Sequence, residues 1–319
     1  MTHRRAAVAG LVVVVLWASA FPAIQQAVPQ MGTVGLSFIR LAVATIALLT
    51  VGLRARTRVP RRQDLGWILA CGFFGMFSYQ LLLNFSERHV PAGTASIIVA
   101  AAPLVSIAIA RRLFKERITG YTIAGSAVAL AGVITVCAAR AGLSVSNSVW
   151  AVVLAMIVQG IYHPLQRPLL RTYRGIEVAT YSMVAGTVMT LPLVPLAWSS
   201  LSHASGAGWA GAVYLGLVPS ALGFVLWGFA ATHLPTATLT SLLYLVPPVA
   251  VLIAWIWLRE VPTLVELAGG LLVLGGVIIV TRGPAIGAAL HRPAPRARRL
   301  RGRSRLGRLR RVAPRRVAS

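Results

Sequence analysis

PAGTASIIVAAAPLVSIAIARRLFKE, residues Pro91 to Glu116, is a long apolar stretch with an internal proline and a charged cluster at its end. A second stretch, PTATLTSLLYLVPPVAVLIAWIWLRE, occupies Pro235 to Glu260. The two align without a gap at an offset of 144 residues, and the alignment continues on both sides. The coinciding pairs include His89 with His233, Thr94 with Thr238, Pro103 with Pro247, Thr119 with Thr263, Gly125 with Gly269 and Gly132 with Gly276. Chance similarity between apolar segments does not align prolines, glycines and acids at one offset, so we infer an internal duplication.

The composition places the chain in a membrane. Of its 319 residues, 57% are hydrophobic and 12% are charged, whereas soluble domains carry about 25% charged residues. The mean hydropathy of +0.77 agrees with this. The formal net charge of +25 raises nucleic-acid binding as an alternative, but 13 of the 31 basic residues lie between Arg282 and Arg316 and most others lie in short loops. We therefore expect no nucleic-acid partner.

Apolar runs long enough to cross a bilayer recur along the chain. A hydrocarbon core of about 30 Å needs about 20 apolar residues per helix, and a chain in lipid satisfies its backbone groups by forming helices. The sequence therefore predicts an all-α membrane protein with ten transmembrane helices. The predicted spans are Ala6–Gln26, Val34–Leu53, Leu65–Phe85, Ala92–Phe114, Thr119–Ala139, Ser148–Leu169, Val178–Trp198, Trp209–Ala231, Thr236–Leu258 and Thr263–Thr281.

The first span has an alternative interpretation. Arg4 and Arg5, the apolar run and Ala18-Ser19-Ala20 also match a signal peptide with a small-residue cleavage site. Cleavage there would leave nine spans and break the repeat. Because the apolar run continues past that site, we favour a transmembrane helix.

Arginine-rich loops predict the orientation. The loop RARTRVPRRQD after the second span holds five arginines, and further basic groups follow the fourth span (Arg111–Arg117) and the sixth (Arg167, Arg171 and Arg174). The loops on the opposite side carry three arginines in all. By the positive-inside rule, the arginine-rich loops and both termini are cytoplasmic. Lysine occurs once, and this preference for arginine hints at a GC-rich, bacterial genome. We therefore expect the membrane to be a bacterial inner membrane.

Five spans per copy is an odd number, so the second copy enters the membrane upside down relative to the first. The sequence therefore predicts two inverted five-helix repeats, residues 1–140 and 141–283. Such repeats are typical of secondary transporters, in which the substrate site lies near the midplane between halves that alternate in access. The remaining residues, 284–319, are rich in arginine and have no acid. They predict a disordered cytoplasmic tail that contacts anionic lipid.

Prolines inside the predicted helices are candidate hinges or kinks. Pro22 and Pro164 occupy matching places in WASAFP and QGIYHP, whereas Pro103 and Pro247 lie mid-helix and Pro248 adds a second break. Each mid-helix proline frees the carbonyl four residues earlier. The kinks serve packing in one interpretation, and they shape a cavity in the other.

Polar side chains at membrane depth are candidate substrate contacts. Arg40 faces a partner or a cavity, or it snorkels towards the outer headgroups. Gln159, Tyr162, His163 and Gln166 recur at three- and four-residue spacing and predict one stripe, which lines a cavity or bonds neighbouring helices. The candidate substrate-binding residues are Trp17, Arg40, Tyr79, Asn84, Gln159, Tyr162, His163 and Tyr244.

Acidic residues are absent from the centres of the spans. Glu266 belongs to Thr263-Leu264-Val265-Glu266, which matches a capping box at a helix start. The others all lie near span ends: Asp64, Glu87, Glu116, Glu177 and Glu260. His163 is therefore the candidate for any proton coupling.

Signatures of catalysis are also absent from the sequence, which has no Gly-rich phosphate loop, no paired intramembrane carboxylates and no HExxH. His89 and His233 are predicted on opposite faces of the membrane. We expect no catalytic residue, no metal and no cofactor, and therefore no enzyme. Small residues, among them Gly125, Gly132 and Gly276, predict close helix contacts within one chain or in a homodimer.

These residues resemble a known family. LWASAFPAI in the first span, an arginine in the second, and the two proline-to-Glu segments at 91–116 and 235–260 are similar to the drug/metabolite transporter superfamily, in its ten-helix EamA-like branch. The resemblance covers about residues 6 to 282. It implies two inverted five-helix halves, a central cavity, and export of a small metabolite such as an amino acid.

The sequence thus predicts a multi-pass transporter of the bacterial inner membrane that exports a small organic metabolite by alternating access. Within transport, the alternative is a lipid or lipid-linked-sugar flippase of the same fold. A membrane-embedded enzyme, or a scaffold that acts through the basic tail, is less well supported by the residues.

Overall fold

The computed structural model describes residues 2–114, 120–141, 147–233 and 242–290. Helices make up most of these residues, and no strand occurs among them. The described residues up to 284 form one compact unit. The all-α class is thereby confirmed for this part of the chain, whereas Glu116 and most of the predicted tail lie outside it.

The helices follow one another along the chain with short connections. They are α1 (Thr2–Arg54), α2 (Arg62–Ser86), α3 (Ala92–Val99), α4 (Ala102–Phe114), α5 (Gly120–Ala141), α6 (Asn147–Leu170), α7 (Gly175–Ser202), α8 (Gly206–Ala230), α9 (Val246–Leu258) and α10 (Leu264–Leu290).

Helix α1 holds the first two predicted spans in 53 residues. A straight helix of that length would extend about 80 Å, far more than a hydrocarbon core of about 30 Å. The helix breaks at Gly32, which has a φ of 68° and a ψ of 164°. A positive φ favours glycine because glycine has no Cβ. Residues 2–31 and 33–54 therefore form two arms, and the first arm continues through Pro22 without ending.

Six described helical segments are long and apolar enough to cross a membrane, and α1 counts as one of them. Shorter apolar stretches lie in α5, α9 and α10. This length criterion does not reproduce the predicted count of ten, because α1 holds two predicted spans and three others appear as shorter stretches. Large apolar side chains lie exposed on the helices, among them Leu196 at 77% and Leu271 at 71%. The chain is a multi-pass helical membrane protein.

Two π-helical segments occupy equivalent positions in the two copies. Gly72–Ser78 lies in α2 and Gly216–Leu222 in α8, and both ends are 144 residues apart. Each begins at a glycine against another helix: a Cβ on Gly72 would lie 2.5 Å from the Ala185 Cβ, and one on Gly216 would lie 2.7 Å from the Val43 Cβ. The offset found in the sequence therefore extends to the backbone geometry.

Helices α5 and α10 cross in direct backbone contact. A Cβ on Gly132 would lie 2.6 Å from the Gly269 carbonyl oxygen, and a Cβ on Gly276 would lie 2.5 Å from the Gly125 carbonyl oxygen. Residue numbers rise along one helix as they fall along the other, so the two helices run antiparallel at this crossing. These glycines are used for packing within the chain.

Three of the predicted mid-helix prolines lie instead at helix starts. Helix α3 ends at Val99 and α4 begins at Ala102, which puts Pro103 in the first turn of α4. Pro247 and Pro248 stand likewise in the first turn of α9. The mid-helix placement was wrong because a proline at a first turn has no helical N–H bond to lose. The side chain of Pro103 lies outside the described residues, and Pro164 stays inside a continuous α6.

Candidate functional site

A polar layer separates the two main apolar clusters of the protein. Along the second arm of α1, the larger cluster ends at Leu36 and the second begins at Leu41. The same change occurs in α2, in α6 and in α8. The residues between the fully buried members of the two clusters include Ser37, Arg40, Tyr79, Gln80, Gln159 and Ser220, and Tyr79 borders the larger cluster. Three predicted site residues, on three different helices, thus share one layer.

Arg40 is the charged residue of this layer. Its side chain is 7% exposed, and its Nε donates a hydrogen bond of 3.1 Å to Ser220 Oγ in the π-helical segment of α8. Its Nη1 is buried and has no hydrogen-bond partner among the described residues. The snorkelling alternative is therefore wrong, because the guanidinium is held between helices of the two copies.

Trp17 is bonded to the same π-helical segment. Its Nε1 donates to the Pro219 carbonyl oxygen at 2.9 Å. Its ring lies 5.1 Å from that of Trp227 and 5.7 Å from that of Phe224, measured between centroids. A π-helical turn widens the helix and often marks a functional position. Because neighbouring residues of one turn hold Trp17 and Arg40, the two side chains are positioned together.

A polar stripe on α2 faces the second arm of α1. Asn84 Nδ2 donates to Ser37 Oγ at 2.8 Å, and both residues are fully buried. The carbonyl oxygens of the Asn84 and Gln80 side chains are buried without a partner within the described chain. Tyr79 is partly buried, packs against the larger cluster and lies within electrostatic range of Arg40. Two unsatisfied acceptors therefore lie on the same helix as Tyr79, and one of them belongs to the residue bonded to Ser37.

Glu87 follows the last residue of α2 and is 1% exposed. Neither carboxylate oxygen has a partner with hydrogen-bond geometry among the described residues, although the backbone of Gln25 lies close by. Burial raises the pKa of the Glu87 carboxyl well above its usual range; Arg40 counteracts this and Glu260 adds to it. The sequence predicted only a helix-end residue here. The spacing of Gln80, Asn84 and Glu87, four and then three residues apart, was the available signal that they share a face.

Gln25 connects the two copies close to Glu87. Its Nε2 donates to Glu260 Oε1, and its Oε1 accepts the backbone N–H of Ala92 at 2.7 Å. The second oxygen of Glu260 is buried and unpartnered within the described part. Glu260 is therefore more than a helix-end residue, because it closes a polar contact between the halves of the sequence.

The residues predicted as one stripe on α6 point in different directions. Tyr162 is 2% exposed and packs on Gly75, in the π-helical segment of α2. His163 is exposed, and Gln159 and Gln166 are partly buried. Adjacent residues on a helix are separated by about 100°, so Tyr162 and His163 cannot share a narrow face. The side chain of Tyr244 lies outside the described residues.

Glu266 makes the capping box that the sequence predicts. Its Oε2 accepts from the Thr263 backbone N–H at 2.9 Å, and Thr263 Oγ1 accepts from the Glu266 N–H at 3.2 Å. Its Oε1 also accepts a hydrogen bond from Thr94 Oγ1 in α3. A residue predicted to cap α10 therefore also joins the two copies.

The site offers binding groups: one guanidinium, two amide oxygens, one carboxylate and an aromatic cluster. Among the described residues, no group of three or more His, Cys, Asp or Glu side chains is arranged to hold a metal ion. These groups lie in a helical membrane protein with several spans.

The profile of the EamA-like transporter family matches residues 4–138 and again residues 146–282. A protein of Streptantibioticus cattleyicolor described as "Probable terminal-alkyne amino-acid exporter" is 48% identical over 84% of this chain and 91% of its own length. A Salmonella typhimurium protein described as "Probable amino-acid metabolite efflux pump" is 28% identical over 84% of this chain and 92% of its own. A crystal structure with a TM-score of 0.63 and 18% identity covers 91% of this chain and 99% of its own, which shows a shared fold.

The chain belongs to the EamA-like transporter family. The resemblance seen in the sequence is thereby confirmed, and the protein is a multi-pass membrane transporter of small metabolites.

Proposed function

We propose that this transporter exports an amino acid or a similar small organic metabolite from the cytoplasm by alternating access. The descriptions of the relatives support this substrate class, since two of them refer to amino-acid export or efflux. We infer that the solute crosses unchanged, without catalysis, metal or cofactor.

Alternating access requires an inverted repeat. The observation that supports such a repeat is the set of reciprocal contacts at the α5–α10 crossing. Gly132 meets Gly269, and Gly125 meets Gly276. At the offset of 144 residues, Gly269 is the equivalent of Gly125, and Gly276 is the equivalent of Gly132. The two contacts are therefore the same contact with the roles of the two copies exchanged. Two antiparallel helices related by a two-fold axis in the membrane plane make contacts of this kind. We therefore propose ten transmembrane helices in two inverted repeats, residues 1–140 and 141–283.

We place both termini in the cytoplasm of a bacterial cell, with the arginine-rich loops. Contacts between two of these loops support their common side: Arg58 Nη2 donates to the Thr172 carbonyl oxygen at 2.7 Å, and Arg174 Nη2 donates to the Ala55 carbonyl oxygen at 3.1 Å. The basic tail, residues 284–319, would then face anionic lipid of the inner leaflet. A homodimer and the absence of a nucleic-acid partner stay predictions.

The substrate site in this proposal is the polar layer. Arg40, Tyr79 and Gln159 lie in it, with Trp17 and Asn84 adjacent. Tyr162, His163 and Tyr244 stay candidates from the sequence. The hinge positions likewise stay proposals, with Gly32 added to the prolines because the backbone turns there.

Counterflow in proteoliposomes tests the proposal. Vesicles loaded with one unlabelled L-amino acid should accumulate its labelled form through the purified protein, and Arg40→Gln should reduce the rate at least tenfold. A lipid-facing variant, Leu196→Ala, is the matched control and should transport normally. Scrambling of labelled lipid without counterflow of any amino acid would instead favour the flippase.

A further inference from the structure

Arg40 and Glu87 are a buried guanidinium and a buried carboxyl group that are not paired with each other. Their side chains are 7% and 1% exposed, and each lies within electrostatic range of the other. No ion pair within 4 Å joins them in the described structure, where the resolved ion pairs involve Glu177. Arg40 Nη1 and both Glu87 oxygens are left without hydrogen bonds.

Such unsatisfied atoms are uncommon inside proteins. Buried polar groups are nearly always hydrogen-bonded, and buried charges are normally paired. Here two further acceptors, Gln80 Oε1 and Asn84 Oδ1, are unsatisfied on the helix that leads to Glu87. The cluster thus presents a free donor, Arg40 Nη1, and free acceptors at the Glu87 carboxyl group and on the helix that leads to it. These groups complement a ligand that carries both a carboxylate and an ammonium.

Hydrogen bonds fix the Arg40 guanidinium and the backbone at Glu87. Ser220 fixes Arg40 through its Nε, which leaves Nη1 free. Asn84 is anchored to Ser37, and the Glu87 backbone N–H bonds the Leu83 carbonyl oxygen at 3.0 Å, which extends the hydrogen bonding of α2 to this residue. These contacts preorganise the charges and reduce the ordering that a bound ligand would require.

We propose that Arg40 and Glu87 bind the zwitterionic headgroup of an α-amino acid. Arg40 Nη1 donates to the carboxylate, and Glu87 accepts from the ammonium, with the Gln80 and Asn84 oxygens available for its remaining N–H groups. Arginine suits this role because its planar guanidinium matches a carboxylate and keeps its charge. The proposal rests on the proposed export function and narrows its substrate class.

A zwitterion fits the two charges better than a singly charged solute does. An amine without a carboxylate would leave Arg40 unpaired, and an acid without an amine would leave Glu87 unpaired. Leaving one member of a buried charge pair without its partner reduces affinity by about 30-fold or more. The headgroup would therefore be recognised strongly, while the aromatic cluster around Trp17 contacts the side chain.

Competition counterflow tests this recognition. Proteoliposomes are screened with the twenty proteinogenic L-amino acids and L-propargylglycine, and the best substrate is compared with its decarboxylated amine and its deaminated acid as competitors. For L-leucine these are 3-methylbutylamine and 4-methylpentanoic acid. The wild type should bind both analogues at least about 30-fold more weakly than the amino acid.

Two charge-removing variants separate the roles of the two groups, and Glu87→Gln is also isosteric. Glu87→Gln should weaken binding of the amino acid by about 30-fold, so that the amino acid no longer binds more tightly than the deaminated acid. Arg40→Gln should remove its advantage over the decarboxylated amine. Arg88→Gln, at the exposed neighbour of Glu87, is the control and should keep the wild-type order. If Arg40 and Glu87 had a purely structural role, the two variants would bind the amino acid, the amine and the acid more weakly by the same factor.

The outcomes distinguish the two proposals. The proposed headgroup site is wrong if the wild type shows amino-acid counterflow and both Gln variants keep its selectivity among the three ligands. That result leaves the proposal of amino-acid export standing. The absence of amino-acid counterflow, with another solute transported, overturns the export proposal itself. Should a variant fail to fold, the wild-type series still decides, because an amine or acid that competes as well as the amino acid contradicts the paired charges.

Discussion

Replacement of Gly276 by alanine tests the inverted packing of α5 on α10. The new Cβ would lie 2.5 Å from the Gly125 carbonyl oxygen and would also meet the backbone nitrogen and the Cβ of Ala129. Two of these three atoms are backbone, so no side-chain rotation can relieve the overlap. The two helices must separate by about an ångström, because ordinary carbon–oxygen contacts begin near 3.4 Å.

The energetic effect follows from two opposing terms. Overpacking of a tight contact destabilises a protein by about 1 to 3 kcal/mol, whereas alanine is favoured over glycine in a helix by about 1 kcal/mol. A Cβ added at Gly275, the adjacent residue, would have nothing within 4 Å. Gly275→Ala should therefore gain the propensity term alone, and the two neighbouring variants should differ by about 1 to 3 kcal/mol.

Reversible denaturation in mixed detergent micelles measures this difference. Gly276→Ala is compared with Gly275→Ala and with wild type, and Gly132→Ala is added because it is the equivalent of Gly276 in the first copy. The pseudo-symmetry predicts that the Gly132 and Gly276 variants lose similar stability. Equal stability of Gly275→Ala and Gly276→Ala would refute the close crossing, and an effect at only one of the two equivalent glycines would refute the reciprocal geometry.

Three further substitutions probe other contacts of the described structure. Gly75→Ala should destabilise the protein by about 1 to 3 kcal/mol in the same denaturation assay, because the new Cβ would lie 2.5 Å from Cγ of the Tyr162 ring; an unchanged midpoint would contradict it. Trp17→Phe should lose about 1 kcal/mol with its indole hydrogen bond, whereas Trp198→Phe, at a side chain that is 71% exposed, should lose none. Glu177→Gln should lower the thermal midpoint and reduce the effect of an added Arg58→Ala, since Glu177 accepts from the Arg58 backbone and side chain; additive losses would show that the pair is not coupled.

The ion pair between Arg58 and Glu177 also affects the pKa of the arginine and the response of the contact to salt. The hydrogen bond to Glu177 raises the pKa of the Arg58 guanidinium above its usual value, so the arginine keeps its charge across the physiological range. The Glu177 side chain is 0% exposed, while that of Arg58 is 55% exposed. Salt should therefore weaken the contact only in part, because the carboxylate is shielded from the solvent ions.

Much of the fold was accessible from local patterns. Apolar length predicted the helices, and the aligned residues at the offset of 144 predicted a duplication whose π-helical segments begin at Gly72 and Gly216. The capping box at Glu266 was also predicted, because Thr263 and Glu266 interact within one helical turn. These features depend on neighbouring residues or on a long repeated pattern, so a single sequence contains them.

The site was predicted less completely. Arg40 and Trp17 were candidates by residue type, but their shared support in Pro219 and Ser220 joins residues about 180 to 200 positions apart. Glu87 was not predicted as a site residue, because its position at a helix end says nothing about what packs over that end. Burial of such a residue depends on other helices, here including the Gln25 region of α1.

The sequence by itself determined the membrane environment, the helical class and the repeat, since hydropathy and repeated residues are properties of the chain. Only the tertiary structure decided that the apolar stretch from Pro91 to Phe114 is divided between α3 and α4, that the glycines of α5 and α10 meet, and that Arg40 and Glu87 are buried without pairing. The physical reason is distance along the chain. Backbone geometry and apolarity are local, whereas the burial and partnership of a charge are set by helices that arrive from elsewhere in the sequence.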